Sequence, residues 1–587
     1  MMDGRKKTML SCAARALLGA AFVLLIAPLV ALGQLSNASL TGVITDASGA
    51  VIPGVEVTAL QVETNTSFQA VTNSGGRYAF LNLPTGHFTI TAKYKGFQTI
   101  ERSGVLLSVN QAANLNLTMP PGTTTTVVNV SAQAPLINAT NSTIGTQLTT
   151  KEINDLPING RNYTQLLALT PGSTPIDVSQ SAGGQLAPGG SNNPTLQGGR
   201  NRSNYYMIDG APNIALVFNG LALVPPLDSI QEVKVETQAT DTQFGGTSGG
   251  FVNLTTKAGT DHFHGSLYEY LQNNVFNSRN PYLPNVNVQP FRQNEFGFSL
   301  GGPLVLPKVY HPRANKTWFF VAYEGFRHNQ SGTVLTRVPT AAERQGDFSG
   351  AWVPGGTALN AIYNPYTTAA DPNNPGQYTR TQFTGNIIPT GMINPAAAAF
   401  LNEFMPLPNF NDPNKARGLN FEENIPSVYD TDSLVVRLDR NLTDRDHLSG
   451  HYMNFTGQTG SSSISVKPMS TTVQNPNRNI TAEWDRTQTP TLFFNVQYSY
   501  MRSDFPIVST TAPDYVDTWK TTSPDAFPNP PGAPPWLPVY SFTYYTTPFG
   551  QGNNEQDTTN QQLTANAQKI WGEHTLKFGF NAWFSGR

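Results

Sequence analysis

Gln243-Phe-Gly-Gly-Thr-Ser-Gly-Gly-Phe-Val-Asn-Leu-Thr-Thr-Lys-Ala-Gly-Thr-Asp-His-Phe-His-Gly265 is the stretch at which the chain changes character. A glycine-dense turn runs into a short strand in which Val252, Leu254 and Thr256 share one face, because strand side chains alternate. A second turn follows. Upstream, the sequence reads as small soluble modules. Downstream, amphipathic strands are joined by long polar loops.

The downstream strands alternate strictly. Phe296, Phe298 and Leu300 recur within Asn294–Leu300, and Lys316–Arg327 is rich in aromatics. Leu434, Val436 and Leu438 alternate with Arg437 and Asp439, and a turn at Thr443–Asp446 leads into Leu448–Phe455. Asn479–Arg486 turns into Thr491–Met501, with Leu492, Phe494, Val496, Tyr498 and Tyr500 on one face. Leu563–Ile570 turns into Thr575–Phe584, with Leu576, Phe578, Phe580, Ala582 and Phe584 alternating. Short turns on one side and long loops on the other, the largest near 328–431, are the asymmetry of outer-membrane barrels, with aromatics as interfacial girdles.

Upstream, the region 35–119 reads as about seven short strands punctuated by turns such as Asp46-Ala-Ser-Gly49 and Asn73-Ser-Gly-Gly76, which is sandwich patterning. Val55, Val57 and Ala59 share a face, as do Phe88, Ile90, Ala92 and Tyr94. Pro120-Pro-Gly122 and a threonine run form a linker. In the region 127–257, Thr150–Pro157 predicts a short helix with Ile153 and Leu156 on one face, ended by Pro157. Tyr163–Leu169 predicts a second, with Leu166, Leu167 and Leu169 packing. Leu196–Arg200 and Tyr205–Gly210 read as strands, and Asp228–Thr237 as a short cap and turn followed by a strand.

Composition agrees. Of 587 residues only 13 % are charged, while Gly (51) and Pro (44) are abundant, which suits strands and turns over helices. The net charge of −2 shows no basic face for nucleic acid. Arg5, Lys6 and Lys7 precede an apolar run from Ala13 to Leu32, and Ala31 and Gly33 are the small residues of a cleavage site before Gln34. A retained anchor is the alternative reading. The only cysteine, Cys12, falls in this signal, so the mature chain is expected to hold no disulfide or thiolate site.

The run "TGVITDASGAVIPGVEVTA…SGGRYAFLNLPTGHFTITAKYKGF" resembles the carboxypeptidase-regulatory-like domain, which implies a prealbumin-like, carbohydrate-binding-like sandwich. No catalytic carboxypeptidase region follows, so a structural or interaction role and sugar binding both stand open. "LPINGRNYTQLLALTPG", "LQGGRNRSNYYMIDG", "IQEVKVET" and "QFGGTSGGFVNLTTKAGT" together resemble the plug of a TonB-dependent outer-membrane receptor, and the domain order is similar to that of its Oar-like members. The fold expected is therefore all-β dominated. A signal peptide (1–33) precedes a prealbumin-like β-sandwich (34–120), an α/β plug (127–257) and part of a transmembrane antiparallel β-barrel (262–587).

The resemblance implies specific sites. Val127, Val128, Asn129 and Val130 look like the segment that a TonB-type energy-transducing protein takes by strand addition; an ordinary first plug strand is the alternative. Arg200, Arg202, Asp209 and Gly210 form a plug motif whose charges would fix the plug in the barrel, or would simply be solvated loop charge. The implied address is the outer membrane, in contact with its lipid, with the N-terminal domain periplasmic. The implied activity is receptor and transporter for an unread extracellular ligand, carbohydrate among the open classes. A surface adhesion or carbohydrate-binding protein anchored by the barrel is the second reading.

Roughly nine or ten strands are legible at the usual span of about 10 residues, against about 22 in plugged receptor barrels. The sequence stops at Arg587 without a terminal aromatic, so an N-terminal portion of a longer receptor is expected; a half-barrel leaves strand edges unpaired in lipid.

Catalytic look-alikes are weak. Gly246-Thr-Ser248-Gly-Gly250 matches a nucleophile elbow, but a strand rather than a helix follows it. His262 and His264 share a strand face without a third ligand. No enzyme, metal or cofactor is expected.

Overall fold

The computed structural model describes residues 37–109, 111–122, 127–129, 144–174, 194–200, 202–216, 220–238, 245, 247–278, 288–305, 317–350, 361–409, 419–462, 470–504, 507–510, 557–572 and 574–586. The signal region and Val130 lie outside them.

The N-terminal unit is a two-sheet sandwich. Its strands are β1 (Ala38–Asp46), β2 (Glu56–Gln61), β3 (Thr66–Val71), β4 (Arg77–Leu83), β5 (Gly86–Lys93), β6 (Thr99–Leu107), β7 (Ala112–Asn114) and β8 (Leu117–Met119). One sheet runs β4-β1-β7 with β8 also on β1. The other runs β3-β2-β5-β6 and ends on a parallel edge strand, β9 (Val127–Asn129). Alternation makes the core: Leu40, Ile44, Val57, Phe88, Ile90, Leu83 and Met119 are buried between the sheets. Tyr78, Phe80 and Phe88 belong to this core, whereas Tyr94 lies beyond β5 and is partly exposed. The turns are held by side chains: Asp46 accepts from the backbone N–H of Ser48 and Ala50, and Asn73 from those of Gly75 and Arg77.

Gly42 in β1 is a packing requirement. A Cβ there would stand 1.9 Å from the Leu115 carbonyl oxygen and 2.7 Å from the Tyr78 ring, the ring whose hydroxyl donates to that same carbonyl at 2.7 Å. Backbone cannot yield as a flexible side chain does. Gly42→Ala is expected to cost about 1–3 kcal/mol by overpacking, read as a lowered urea midpoint for unfolding of the sandwich.

The second unit is α/β. Its principal strands are β10 (Ile144–Thr149), β13 (Tyr205–Ile208), β14 (Ala211–Pro212), β17 (Ile230–Gln238) and β18 (Phe251–Thr256), in the order β10-β17-β18-β13-β14. Two-residue strands pair as β11 (Ser173–Thr174) with β12 (Thr195–Leu196), and as β15 (Ile214–Ala215) with β16 (Gly220–Leu221). The helix Thr150–Asp155 has a capping box between Thr149 and Glu152 and buries Ile153, but Leu156 is 37 % exposed. Tyr163–Leu169 is a 3-10 helix. Its buried pairs Tyr163/Leu166 and Thr164/Leu167 are three apart, which suits three residues per turn, and Leu169 is exposed, against the packing expected of it.

The third unit is one antiparallel sheet. It comprises β19 (His264–Asn273), β20 (Phe291–Pro303), β21 (Thr317–Thr336), β24 (Phe421–Asn441), β25 (Asp446–Ser462), β26 (Ser470–Thr489), β27 (Leu492–Asp504), β29 (Asp557–Trp571) and β30 (His574–Gly586) in chain order. A short pair, β22 (Ala369–Ala370) with β23 (Tyr378–Thr379), lies in the long loop after β21, and β28 (Ile507–Thr510) adds to β26. One face is polar and buried: Thr558, Asn560, Gln562, Thr564, Asn566 and Gln568 line β29 at 4 % exposure or less. The other presents Phe298, Leu300, Leu438, Tyr498, Phe578, Phe580 and Phe584. Apolar residues outward and polar residues inward invert the soluble arrangement, as lipid requires. Several strands run to 20 or 21 residues, twice the span read from the sequence.

Candidate functional site: the seam between the α/β unit and the barrel wall

The α/β unit sits on the polar face of the large sheet, and its core continues into Val435, Met453, Phe455 and Met501 of the wall. Inward amides and hydroxyls donate to its backbone. Ser433 Oγ reaches the Val224 carbonyl at 2.9 Å, Asn560 Nδ2 that of Ile214 at 3.1 Å, Gln497 Nε2 that of Asp209 at 2.8 Å, and Asn477 that of Ala222. β24, β26, β27 and β29 therefore spend their polar faces on the inner unit.

Two ionic clusters fasten the seam. In the first, Asp209 and Gly210 are the two central residues of the β13–β14 hairpin, with φ of 48° and 77°. A two-residue hairpin of this kind needs φ > 0 at both positions, which Asp-Gly supplies. The turn aims the Asp209 carboxylate at the wall. Its Oδ1 accepts from the Thr256 N–H at 2.9 Å and its Oδ2 from the Thr256 hydroxyl at 2.6 Å. From the wall, His451 Nδ1 stands 2.9 Å from Oδ2 and Arg437 Nη1 3.5 Å from Oδ1. Arg437 also grips Asp439 at 2.9 Å and donates to the Thr256 hydroxyl at 2.9 Å.

Burial pushes the Asp209 carboxyl up, but the Arg437 charge and the His451 contact outweigh it and hold the group at about 2, below its ordinary 3.8. A depressed carboxyl contributes stability above its unfolded pKa and loses it as pH falls through the folded one. Between about pH 4 and 2, wild type should therefore lose urea resistance that Asp209→Asn never had; parallel midpoint curves for the two proteins across that window would contradict this.

In the second cluster, Arg161 projects from a turn with φ of 64° at Gly160 and 47° at Arg161. Its guanidinium meets Asp228 at 2.5 Å and Glu324 of β21 at 3.1 Å, and lies 4.3 Å from the centroid of the Tyr268 ring. Tyr268 donates to Glu324 at 2.7 Å, and Ser266 donates to Asp228. Burial opposes the Arg161 charge, yet Glu324, Tyr268 and Asp228 raise its pKa beyond the ordinary arginine value.

The residues expected from sequence are placed as follows. Asp209 and Gly210 are buried in the seam; Arg200 and Arg202 are exposed. The cation on the Asp209 carboxylate is Arg437, which sequence reading treated only as strand patterning. Arg161, Asp228, Glu324, Asp439 and His451 were likewise missed; their only sequence signal is a charge on the polar side of a strand or in a turn. Val127, Val128 and Asn129 form β9 against β6 of the sandwich. β18 follows Gly250 directly, so Ser248 lacks the helix that an elbow needs. His262 and His264 are exposed, and among the described residues no group of three potential metal ligands is found.

The sandwich meets both other units. Asn37 Nδ2 donates to Asp485 of β26 at 2.9 Å, and the Asp261 N–H to the Glu63 carbonyl at 3.0 Å. A cavity of about 160 Å³ lies where the three units meet, lined by Asn37, Asn82, Asp209, Arg437, His447 and Asp485 among others.

Residues 255–585 match the outer membrane beta barrel domain family, and residues 39–120 the carboxypeptidase regulatory-like domain family. The TonB-dependent transporter Oar of Myxococcus xanthus is 24 % identical over 302 residues, covering 49 % of this chain and 26 % of Oar. The chain thus spans about a quarter of the length of that curated relative. Solved structures similar to it include the siderophore receptor PirA of Acinetobacter baumannii, at 12 % identity and a TM-score of 0.38 over 74 % of this chain and 47 % of PirA. FpvA of P. aeruginosa aligns at 11 % identity and a TM-score of 0.39 over 77 % of this chain and 53 % of FpvA.

Proposed function

This chain belongs to the outer membrane beta barrel domain family and resides in the outer membrane; on that premise we propose that it works as a TonB-dependent receptor and transporter, with residues 127–257 as plug. The observation that carries the reading is the seam: an α/β unit tied by Asp209–Arg437 and Arg161–Glu324 to the polar face of a lipid-facing sheet. Such a unit blocks passage while fastened and opens a polar route when it shifts.

Transport on this reading is binding and gating without covalent chemistry. Ligand meets the long-loop end and the plug. A pull on the segment before the plug, exerted by a TonB-type periplasmic protein, then competes with the two ionic clusters. The short turns at Asn441–Asp446, Thr489–Leu492 and Trp571–His574 face the periplasm. The sandwich lies at that same end, where Asn441 meets Thr66. The ligand class stays open.

The test compares what intact cells with and without the gene deplete from a rich medium. A compound removed only by gene-bearing cells, and no longer removed when the TonB-type protein is inactivated, supports transport. Identical depletion profiles overturn it.

A further inference from the structure

The cavity where the three units meet holds negative charge that no side chain answers. Glu483 and Asp485 stand two apart on β26, so they share its inner face, and they are only 8 % and 3 % exposed. One amide serves both: Asn495 Nδ2 donates to Glu483 Oε1 at 2.6 Å and to Asp485 Oδ1 at 2.7 Å, while its oxygen accepts from Asn566 at 2.7 Å. The nearby cationic groups are engaged elsewhere. Arg437 pairs with Asp209 and Asp439, His451 stands against Asp209 and His447 against Asp439, and among the described residues Glu483 and Asp485 form no ion pair. Two like charges withdrawn from water side by side are strongly unfavourable unless something neutralises them.

A second observation says what kind of neutraliser fits. Among the described residues on this cavity, three buried side-chain oxygens have no hydrogen-bond partner: Glu63 Oε2 and Asn82 Oδ1 of the sandwich, and Thr255 Oγ1 of β18. Thr255 is 7 % exposed. Asn82 bonds Asp485 through the other end of its amide, and Asn37 donates to the same carboxylate, so the sandwich side of the cavity reaches the unanswered charge. All three orphan oxygens accept, and the carboxylate and amide oxygens do nothing else. A proton shared by Glu483 and Asp485 would leave these oxygens unserved, and an anion would meet acceptors. The complement is positive and presents several hydrogens. No three carboxylates or imidazoles among the described residues converge to ligate a bare metal ion, but about 160 Å³ admits a cation together with waters.

We propose that this cavity binds a hydrated divalent cation of the Mg²⁺ type, whose water ligands donate to Glu483 and Asp485 of the wall, Glu63 and Asn82 of the sandwich and Thr255 of the α/β unit. Mg²⁺ gives up its waters reluctantly, so oxygens placed to receive those waters suit it better than a close cage of ligands. The ion is then a rivet through all three units. The site goes beyond the receptor reading and does not depend on it, since it needs only the junction of the units.

The full-length protein in detergent, stripped with a chelator, is titrated with Mg²⁺ by calorimetry, and its urea midpoint is read with and without the ion. Wild type should show a saturable Mg²⁺ site and gain urea resistance as it fills. Glu483→Gln combined with Asp485→Asn keeps the acceptor oxygens and removes the charge. It should bind at least about tenfold more weakly and unfold at a midpoint that Mg²⁺ does not move. Equal binding by wild type and the double variant, or none by wild type, overturns the site. A wild-type midpoint that rises on acidification and ignores Mg²⁺ also overturns it, because a proton then does the neutralising. Should the double variant not fold, Thr255→Val decides. Affinity lowered about threefold, as for the loss of one hydrogen bond, supports the site, and unaltered affinity overturns it.

Discussion

Arg437→Met should release the α/β unit from the barrel wall at much lower denaturant than wild type. Arg437 is the cation shared by Asp209 and Asp439, and its side chain is only 17 % exposed. Methionine keeps most of the volume and removes the charge, leaving two carboxylates facing each other in a site with little water. Removing one member of a buried ion pair costs about 3–5 kcal/mol, chiefly because the remaining charge is stranded. A fluorophore on a cysteine at exposed Gln197, beside the β12 strand, reports the α/β unit. Its urea transition should fall well below that of wild type, while Arg437→Lys should sit between them, since lysine restores charge without the fork that spans Asp439 and Thr256. A transition unmoved in Arg437→Met would show that the hairpin is held by its backbone alone.

Arg161→Ala should be the second large effect, at the neighbouring fastening on β21. It strands Asp228 and Glu324, which Arg161 holds at 2.5 and 3.1 Å, and it empties the face of Tyr268. A loss of about 3–5 kcal/mol is expected on the same ground. The cycle with Glu324→Gln isolates the bond across the seam: neutralising Glu324 first should soften the later loss of Arg161, with a coupling of about 1–3 kcal/mol. Additive losses would assign the Arg161 effect to Asp228, within the α/β unit itself. Combining Arg437→Met with Arg161→Ala cuts both fastenings, and the α/β unit should then respond to denaturant before any wall strand does.

Why sequence showed the walls and not the bolts follows from the physics of each. A strand writes its two environments into alternate positions, so Leu492, Phe494, Val496 and Tyr498 announce a lipid face without knowledge of any neighbour. The Asp209-Gly210 hairpin is equally local, because the backbone itself demands those residue types. The contact of Arg161 with Glu324 spans 163 positions, and that of Gln497 with the Asp209 carbonyl spans 288. Nothing adjacent to Glu324 marks it as different from Gln293 or Glu295, which lie on the same polar face. The exposed Arg200 and Arg202 drew attention because they stand beside Asp209 in the chain, whereas its cation comes from a strand that begins more than 200 residues later. Leu169 misled for a simpler reason: a 3-10 turn rotates it off the face that an α-helix would have buried.

The β21–β24 pair has a reach that bilayer thickness does not demand. All 20 residues of β21, from Thr317 to Thr336, are matched by β24, yet about 10 suffice to cross the hydrocarbon. At roughly 3.4 Å per residue and a tilt near 40°, the surplus carries the crest about 25 Å clear of the lipid. The loop above it, with Arg344 tying the carbonyls of Leu401, Met405 and Pro406 and Tyr366 and Tyr378 open to solvent, is thus borne on a stiff mast. Molecules arriving from outside meet this masthead before they meet the membrane.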